Sequence, residues 1–158
     1  MALKRSQSEQ IDRDKCLEIV GTCASFSFRK ASRSVTRLFD QILAPIGLRS
    51  TQLVILAAAQ AQGPCSLGRL ARELVMDRST ITRNIQPLVI QGLLQVSGKT
   101  GRGSKSVEIT KAGQEAMVSE VPFWEEAQGK LKRRMGKDRW NRVMVDLTGV
   151  VDASRATG

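Results

Sequence analysis

Two stretches near the middle of the chain place apolar residues at the spacing of an amphipathic helix. Their apolar positions recur every three or four residues, as a helix needs in order to bury one face. The first stripe is Leu67, Leu70, Ala71 and Leu74, and the second is Ile81, Ile85, Leu88 and Val89. Ser66 and Asp77 precede the stripes as N-cap residues, whose side chains accept hydrogen bonds from the first backbone amides. The pattern predicts two short helices joined by a tight turn.

The polar face of the second helix carries residue types that bind DNA. Its outward row is predicted to be Ser79, Thr82, Arg83 and Gln86, flanked by Arg78, Thr80 and Asn84. Arginine pairs with guanine, and asparagine with adenine, through two hydrogen bonds each, so this face suits a major groove. Arg83 is the first choice for reading bases. Arg78, Ser79 and Thr80 stand at the helix start, where unpaired amides favour a phosphate, and they are assigned to positioning on the DNA backbone.

The segment after the second helix predicts a β-hairpin wing with a basic tip. Gly92 ends the helical period as a left-handed cap, and residues 93–97 and 106–110 are typical of paired strands. The loop between them, GKTGRGSK, holds three glycines that allow sharp turns and a close approach to a surface. Its basic residues, predicted to bind phosphates or a minor groove, are Lys99, Arg102 and Lys105, with Arg102 at the tip.

Helical patterns on both sides of this unit complete a mainly α fold with a small β-hairpin wing, a winged helix-turn-helix. Helices are predicted at about 14–43, 51–61, 66–73, 77–91, 111–134 and 137–153. Residues 1–13 are expected to form a flexible arm. Residues 14–158 are expected to form a single domain whose DNA-binding part spans about 51–110.

The outer helices, at about 14–43 and 111–153, carry apolar stripes that a small wing domain leaves uncovered. Mutual burial in a twofold homodimer covers such surfaces, so the chain is predicted to dimerise through its N- and C-terminal helices. Two recognition helices then face successive major grooves. This arrangement predicts a pseudo-palindromic operator with half-sites roughly 34 Å apart.

The composition favours an anionic partner and disfavours catalysis. The 158 residues carry a net charge of +10 and a pI near 10.3, which suits nucleic acid or a membrane surface. With no histidine, no tyrosine and no phosphate-binding glycine motif, the chain is not expected to be an enzyme or to hold a cofactor or metal. The polar start is not followed by a long apolar run, so we expect no membrane span and a cytoplasmic location.

From about Cys16 to Gln128 the sequence resembles the MarR-type winged helix-turn-helix transcriptional regulators. The resemblance is carried by RKASRSVTRLFDQILAPIGLRSTQLVIL, GPCSLGRLARELVMDRSTITRNIQPLVIQGLL and VEITKAGQEA. It implies a homodimer with a winged DNA-binding module in each subunit, and repression relieved by a small molecule or an oxidant. The wing departs from the Asp-x-Arg tip that is common in this family. An ungapped count back from Thr110 puts Gly101 and Gly103 there, and a one-residue insertion aligns Thr100 and Arg102 instead.

The resemblance also implies an effector pocket between the dimerisation helices and the DNA-binding module. The candidates for lining it are Phe26, Arg29, Arg33 and Trp124. Arginine beside aromatic side chains suits a small aromatic or anionic effector such as an aromatic carboxylate. Aromatic residues at helical spacing are also typical of a protein core, so a purely structural role stays open for them.

The resemblance also implies a second possibility, a thiol-based redox-sensing regulator that uses Cys16 and Cys23, because some members of this family sense hydroperoxides through a thiol on the first helix. The two cysteines lie seven residues apart on the predicted first helix, a rise of about 10.5 Å. This exceeds the Cα separation of about 7 Å that a disulfide allows, so a bridge within the helix is excluded, whereas one between subunits or with Cys65 is not. Cysteines with a structural role in a reduced cytoplasm are the other interpretation.

A third candidate function is a non-specific architectural winged helix that binds DNA without reading bases.

Overall fold

The computed structural model describes residues 11–98 and 105–155 and shows a mainly helical chain with a small antiparallel sheet. The N-terminal helices are α1 (Arg13–Thr22), α2 (Ala24–Leu43) and α3 (Ser50–Gln62), with a short 3₁₀ turn at Ala44–Ile46. The central elements are β1 (Cys65–Ser66), α4 (Leu67–Glu73), α5 (Arg78–Ile90), β2 (Leu94–Ser97) and β3 (Ser106–Ile109). The last two helices are α6 (Lys111–Met135) and α7 (Lys137–Arg155). The predicted winged helix-turn-helix fold is confirmed.

The first predicted helix is wrong in one respect, because the structure divides it into α1 and α2 at Cys23. The backbone of Cys23 leaves the helical region with a ψ of 111°, although its amide still donates to the Ile19 carbonyl. Just before the break, the Thr22 hydroxyl donates to the Glu18 carbonyl at 2.8 Å. Glycine and threonine at positions 21 and 22 have low helix propensity, which makes this point a weak one in the helix.

The chain divides into two compact units, residues 1–37 and 38–158, which we describe separately. In the first unit every described side chain, from Ile11 to Arg37, is exposed or half-buried. The second unit holds a main core between α3, α4, α5 and the sheet. Its fully buried members include Ile55, Leu56, Leu70, Ile81, Leu88 and Val107. A smaller cluster joins the end of α2 to α3 and α6, and it contains Phe39, Leu43, Leu53 and Ala127.

The sheet has three strands in the order β1-β3-β2, all antiparallel. The predicted hairpin is present, with Leu94 opposite Ile109 and Ser97 opposite Ser106. β1 was not predicted, because two residues are too few for a period-two pattern to be recognised. Its residue Cys65 pairs with Val107, so the start of the helix-turn-helix is tied to the wing through backbone hydrogen bonds.

The two predicted apolar stripes face the main core, with one exception. Leu70, Ala71, Ile81, Ile85 and Leu88 are buried, as the periodicity requires. Val89, by contrast, is 37% exposed, so its predicted place in the buried stripe is wrong. Three buried positions at i, i+4 and i+7 already cover the contact face of α5, and residue 89 turns away from it.

Among the described helices, no single one is long and apolar enough to cross a membrane. The consecutive segments Ala24–Ile46 and Ser50–Gln62 pass the same length and composition test only when they are taken together. Leu53, Ile55 and Leu56 of this pair are buried in the protein core, which accounts for its apolar composition.

Candidate nucleic-acid interface

Helix α5, which the sequence predicts to be the recognition helix, begins at a capped N-terminus. Asp77 has an extended backbone, and its Oδ1 accepts a hydrogen bond from the Thr80 amide at 2.7 Å. This is the N-cap that the sequence predicts, since a carboxylate there satisfies an amide that has no partner within the helix. Ser66 caps α4 in the same way by accepting from the Arg69 amide at 3.2 Å.

The turn between α4 and α5 contains a residue with an unusual backbone. Val75 has a φ of 52°, a left-handed conformation that a β-branched residue rarely adopts. The amides of Val75 and Met76 donate to the carbonyls of Arg72 and Ala71 at 3.3 and 2.8 Å. These bonds close α4 in the pattern that usually has glycine at the left-handed position. The turn sets the direction in which α5 leaves.

The outward row of α5 lies opposite its buried stripe. Ser79, Thr82, Arg83 and Gln86 are all exposed, as is Arg78, whereas Thr80 and Asn84 are half-buried. The exposed row and the core contacts of Ile81, Ile85 and Leu88 follow from one helical period. α5 therefore presents a continuous polar strip of several residue types that bind DNA.

Hydrogen bonds within α5 already use some of these polar groups. The Thr82 hydroxyl donates to the Arg78 carbonyl at 2.7 Å, and the Asn84 side-chain amide donates to the Thr80 carbonyl at 2.8 Å. Within the described part of the chain, Arg83 and Gln86 make no side-chain hydrogen bond. The donors of Arg83 and Gln86, like those of Arg78 at the helix start, are thus available without the loss of an internal bond.

Asp77 also binds two side chains at the start of α5, which the sequence analysis did not predict. Ser79 Oγ donates to Asp77 Oδ1 at 2.6 Å, and Thr80 Oγ1 donates to Asp77 Oδ2 at 2.7 Å. These hydrogen bonds, that from Ser79 first, stabilise the carboxylate and hold the pKa of Asp77 well below its usual range. The signal in the sequence was the spacing Asp-x-Ser-Thr, which places both hydroxyls within reach of one carboxylate.

The wing is anchored at both ends by backbone and side-chain contacts. The Lys105 carbonyl accepts from the Leu67 amide at 3.2 Å, and Gln95 Nε2 donates to Glu108 Oε2 at 2.9 Å across the strands. Lys105 itself is exposed at the end of the hairpin that leads to the tip. The predicted tip residues Lys99 and Arg102 lie outside the described residues. Gly92 has the left-handed backbone predicted for it, with a φ of 71°.

Four exposed residues of α2 line an open surface depression in the first unit. They are Phe28, Arg29, Ser32 and Arg33, and the depression has a volume of about 390 Å³. Arg29 and Arg33 were predicted as effector ligands, whereas Phe28 and Ser32 were not, although they lie on the same helix face. Phe26, which is 40% exposed on α2, is not among these four lining residues. Trp124 belongs to α6 in the second unit.

The three cysteines have different environments. Cys16 is exposed on α1, Cys23 is half-buried at the break between α1 and α2, and Cys65 is buried in β1. Burial raises the pKa of the Cys65 thiol, and the charge of Arg69 offsets only part of this effect. A thiol with a raised pKa is a poor nucleophile at neutral pH, because the reactive form is the thiolate.

One acidic side chain of α6 is buried. Glu120 is 3% exposed, and its Oε2 has no hydrogen-bond partner among the described residues. Burial disfavours the charged form and raises the pKa of Glu120 to about 7. The described residues contain no group of three or more histidine, cysteine or acidic side chains that would hold a metal ion.

The comparisons with known proteins agree with this architecture. A model of the MarR family matches residues 48–101, which include α4 and α5. A crystal structure of the Mycobacterium tuberculosis transcriptional regulator MosR in complex with DNA has 30% sequence identity and a TM-score of 0.75, and the match covers 85% of this chain and 98% of that one. The chain therefore belongs to the MarR family of transcriptional regulators.

Two more distant structures share the fold. One is of Bordetella bronchiseptica BpsR, whose DNA binding is regulated by 6-hydroxynicotinic acid, at 24% identity and a TM-score of 0.74, covering 84% of this chain and 96% of that one. The other is a cysteine-to-serine mutant of Escherichia coli MarR with operator DNA, at 16% identity and a TM-score of 0.73, covering 89% and 99%. The comparison with curated proteins gave no match.

Proposed function

We propose that this chain is a sequence-specific regulator that binds double-stranded DNA and represses transcription. The observation that carries the proposal is the exposed polar strip of α5, which lies opposite the stripe that anchors the helix in the core. A helix held in this way can enter a major groove without losing its packing. The similar M. tuberculosis regulator was crystallised with DNA, which supports the same partner here. Such a regulator acts where the chromosome is, in the cytoplasm.

The residues of the strip divide into two roles under this proposal. Arg83 and Gln86 reach base edges, because they are exposed and their donors are not used inside the helix. Arg78 at the helix start, together with Lys99, Arg102 and Lys105 of the wing, neutralises phosphates. Asn84 is half-buried, and one N–H of its side-chain amide already donates to the Thr80 carbonyl, which limits how it can turn towards adenine, so we rank it below Arg83.

A homodimer completes the proposal. In the first unit the exposed apolar residues include Leu17, Val20 and Phe28, and in the second unit they include Leu147 and Val150 of α7. Exposed apolar stripes on long helices are covered in stable proteins by a partner, and a twofold copy is the simplest one. The operator is then a pseudo-palindrome with half-sites roughly 34 Å apart.

We propose that the effector binds at the open depression beside Arg29 and Arg33. Two guanidinium groups one helical turn apart repel each other, and a bound carboxylate relieves that repulsion while the ring packs on Phe28. The regulation of BpsR by an aromatic acid supports this class of ligand. Titration of the protein–DNA complex with benzoate tests the site: release from the native chain and from Arg29→Ala alike contradicts it.

The second candidate function is release by oxidation. It is favoured by Cys16, because this thiol is exposed. It is also favoured by Cys23, which lies at the break between α1 and α2, where a disulfide to another chain would change the backbone. It is disfavoured by the burial of Cys65.

A non-specific architectural role predicts equal affinity for every duplex and is separated from the main proposal by the following test.

The deciding experiment is selection of duplexes from a synthetic library with a randomised centre, combined with measurement of molar mass in solution. Enrichment of a pseudo-palindrome by a species of twice the chain mass is the expected result. A monomer that enriches no sequence would refute the proposal.

A further inference from the structure

The start of α5 contains two hydroxyl groups whose protons are already used in hydrogen bonds to Asp77. Asp77 is fully exposed and ionised, since its pKa is lowered, and a carboxylate can only accept hydrogen bonds. The hydroxyls of Ser79 and Thr80, at 2.6 and 2.7 Å from its two oxygens, must therefore be the donors. A hydroxyl has one proton and two lone pairs, so both groups keep only the capacity to accept.

This direction of hydrogen bonding decides what these hydroxyls can recognise on DNA. Phosphate oxygens only accept hydrogen bonds, so a hydroxyl without an available proton gains nothing from them. In the major groove the donors are the exocyclic amines of adenine and cytosine, whereas guanine and thymine oxygens and the purine N7 atoms accept. A hydroxyl that can only accept therefore distinguishes bases, although it is indifferent to the backbone.

We propose that Asp77 determines base specificity: it holds the protons of Ser79 and Thr80, so that the exposed Ser79 hydroxyl accepts from an adenine or cytosine amine instead of binding phosphate. Ser79 and Thr80 were expected from the sequence to position the protein on the DNA backbone, and the inference changes that assignment. The Asp77 charge acts in the same direction, because it repels a phosphate at this end of the helix. The inference rests on the proposed DNA-binding function.

The test uses the full chain and the duplex that it selects from the randomised library, with a scrambled duplex of equal length as reference. Ser79→Ala is expected to weaken binding to the selected duplex about ten-fold and to leave the scrambled duplex unchanged. Replacement of single adenines or cytosines by analogues without the exocyclic amine is then expected to find one position that matters to the native chain and not to Ser79→Ala. The inference is wrong if Ser79→Ala weakens binding to both duplexes equally. It is also wrong if, at every position, the loss of affinity caused by the base analogue simply adds to the loss caused by Ser79→Ala.

A second variant reverses the hydrogen bond itself. Asparagine remains a good N-cap when its oxygen keeps the bonds from the Thr80 amide and the Ser79 hydroxyl. Its nitrogen then takes the place of Oδ2 and donates, so in Asp77→Asn the Thr80 hydroxyl must direct its proton outwards. We expect binding to the scrambled duplex to tighten and the preference for the selected duplex to fall. Glu73→Gln, at an exposed position at the end of α4, is the matched control because it removes the same charge without touching Ser79 or Thr80.

If Asp77→Asn and Glu73→Gln behave alike, charge alone explains the effect and the inference is wrong. If the native chain selects no sequence at all, the proposed function fails first. The two failures are therefore distinguishable in one set of measurements.

Discussion

Gly113, in the first turn of α6, packs directly against the carbonyl oxygen of Leu93 at the entrance to β2. A Cβ atom at residue 113 would overlap that oxygen and would lie 2.7 Å from Cγ1 of Ile109. The same junction is held by Thr110, whose hydroxyl donates to the Gly92 carbonyl at 2.6 Å and accepts from the Gly113 amide at 3.0 Å. The wing and the long helix α6 are thus joined by close backbone packing.

Gly113→Ala is expected to destabilise the protein by about 1–3 kcal/mol, because backbone atoms on both sides must move to admit a methyl group. Urea denaturation measures the free energy of unfolding. Gly129→Ala on the same helix is the matched control: there the new Cβ meets the guanidinium of Arg133 at 3.1 Å, and this flexible side chain can move away. The control is expected to gain up to about 1 kcal/mol from helix propensity. Equal effects of the two variants would contradict the packing argument.

Arg83→Ala is expected to cost about 1–3 kcal/mol of binding free energy on the selected duplex and much less on a scrambled one, because a bidentate contact to a base is lost. Fluorescence anisotropy on both duplexes measures the difference. Arg134→Ala removes the same charge from an exposed position on α6 and is expected to affect both duplexes equally. A uniform loss for Arg83→Ala would favour the architectural alternative.

Arg102→Ala is expected to weaken binding to every duplex and to reduce the slope of log affinity against log salt by about one unit, since one phosphate contact releases about one counterion. The measurement is a salt titration of binding between about 50 and 200 mM. An unchanged slope would remove Arg102 from the DNA-binding wing.

Glu120 predicts a pH dependence of stability. Its pKa is about 7 in the folded protein, above the value of about 4.3 in an unfolded chain, so the folded state binds the proton more tightly. The contribution of this group to stability is therefore greatest below about pH 4.3, falls as the pH rises to about 7, and then levels off. The total loss is about 3–4 kcal/mol. Glu120→Gln is expected to remove this part of the slope, and the exposed Glu125→Gln is expected to leave it. Identical pH profiles of the native chain and Glu120→Gln would refute the prediction.

Peroxide treatment is expected to leave DNA binding by the native chain and by Cys16→Ser/Cys23→Ser equal. Cys16 on α1 and Cys23 at its C-terminal cap are about 10.5 Å apart along the helix axis, too far for a bridge within one chain, and Cys65 is buried with a raised pKa. Mobility-shift assays before and after oxidation provide the comparison. Release of DNA from the native chain alone would favour the redox-sensing alternative.

Local patterns in the sequence determined the DNA-binding module. The stripes around Leu70 and Ile85, the caps at Ser66 and Asp77 and the left-handed Gly92 act over a few residues, where spacing and residue type suffice. These signals predicted α4, α5 and the hairpin within one or two residues. The family resemblance includes this segment and extends on both sides of it, from about Cys16 to Gln128.

Tertiary structure decided what depends on contacts between distant or unpatterned residues. β1 exists because Cys65 meets Val107, and Gly113 is required because Leu93 lies against it. The break at Cys23 and the burial of Glu120 have no periodic signal in the sequence. The hydroxyl protons of Ser79 and Thr80 point at Asp77 because three side chains meet at one helix end. A hydrogen bond's direction depends on which acceptor lies within about 3 Å, and only the folded arrangement sets that distance.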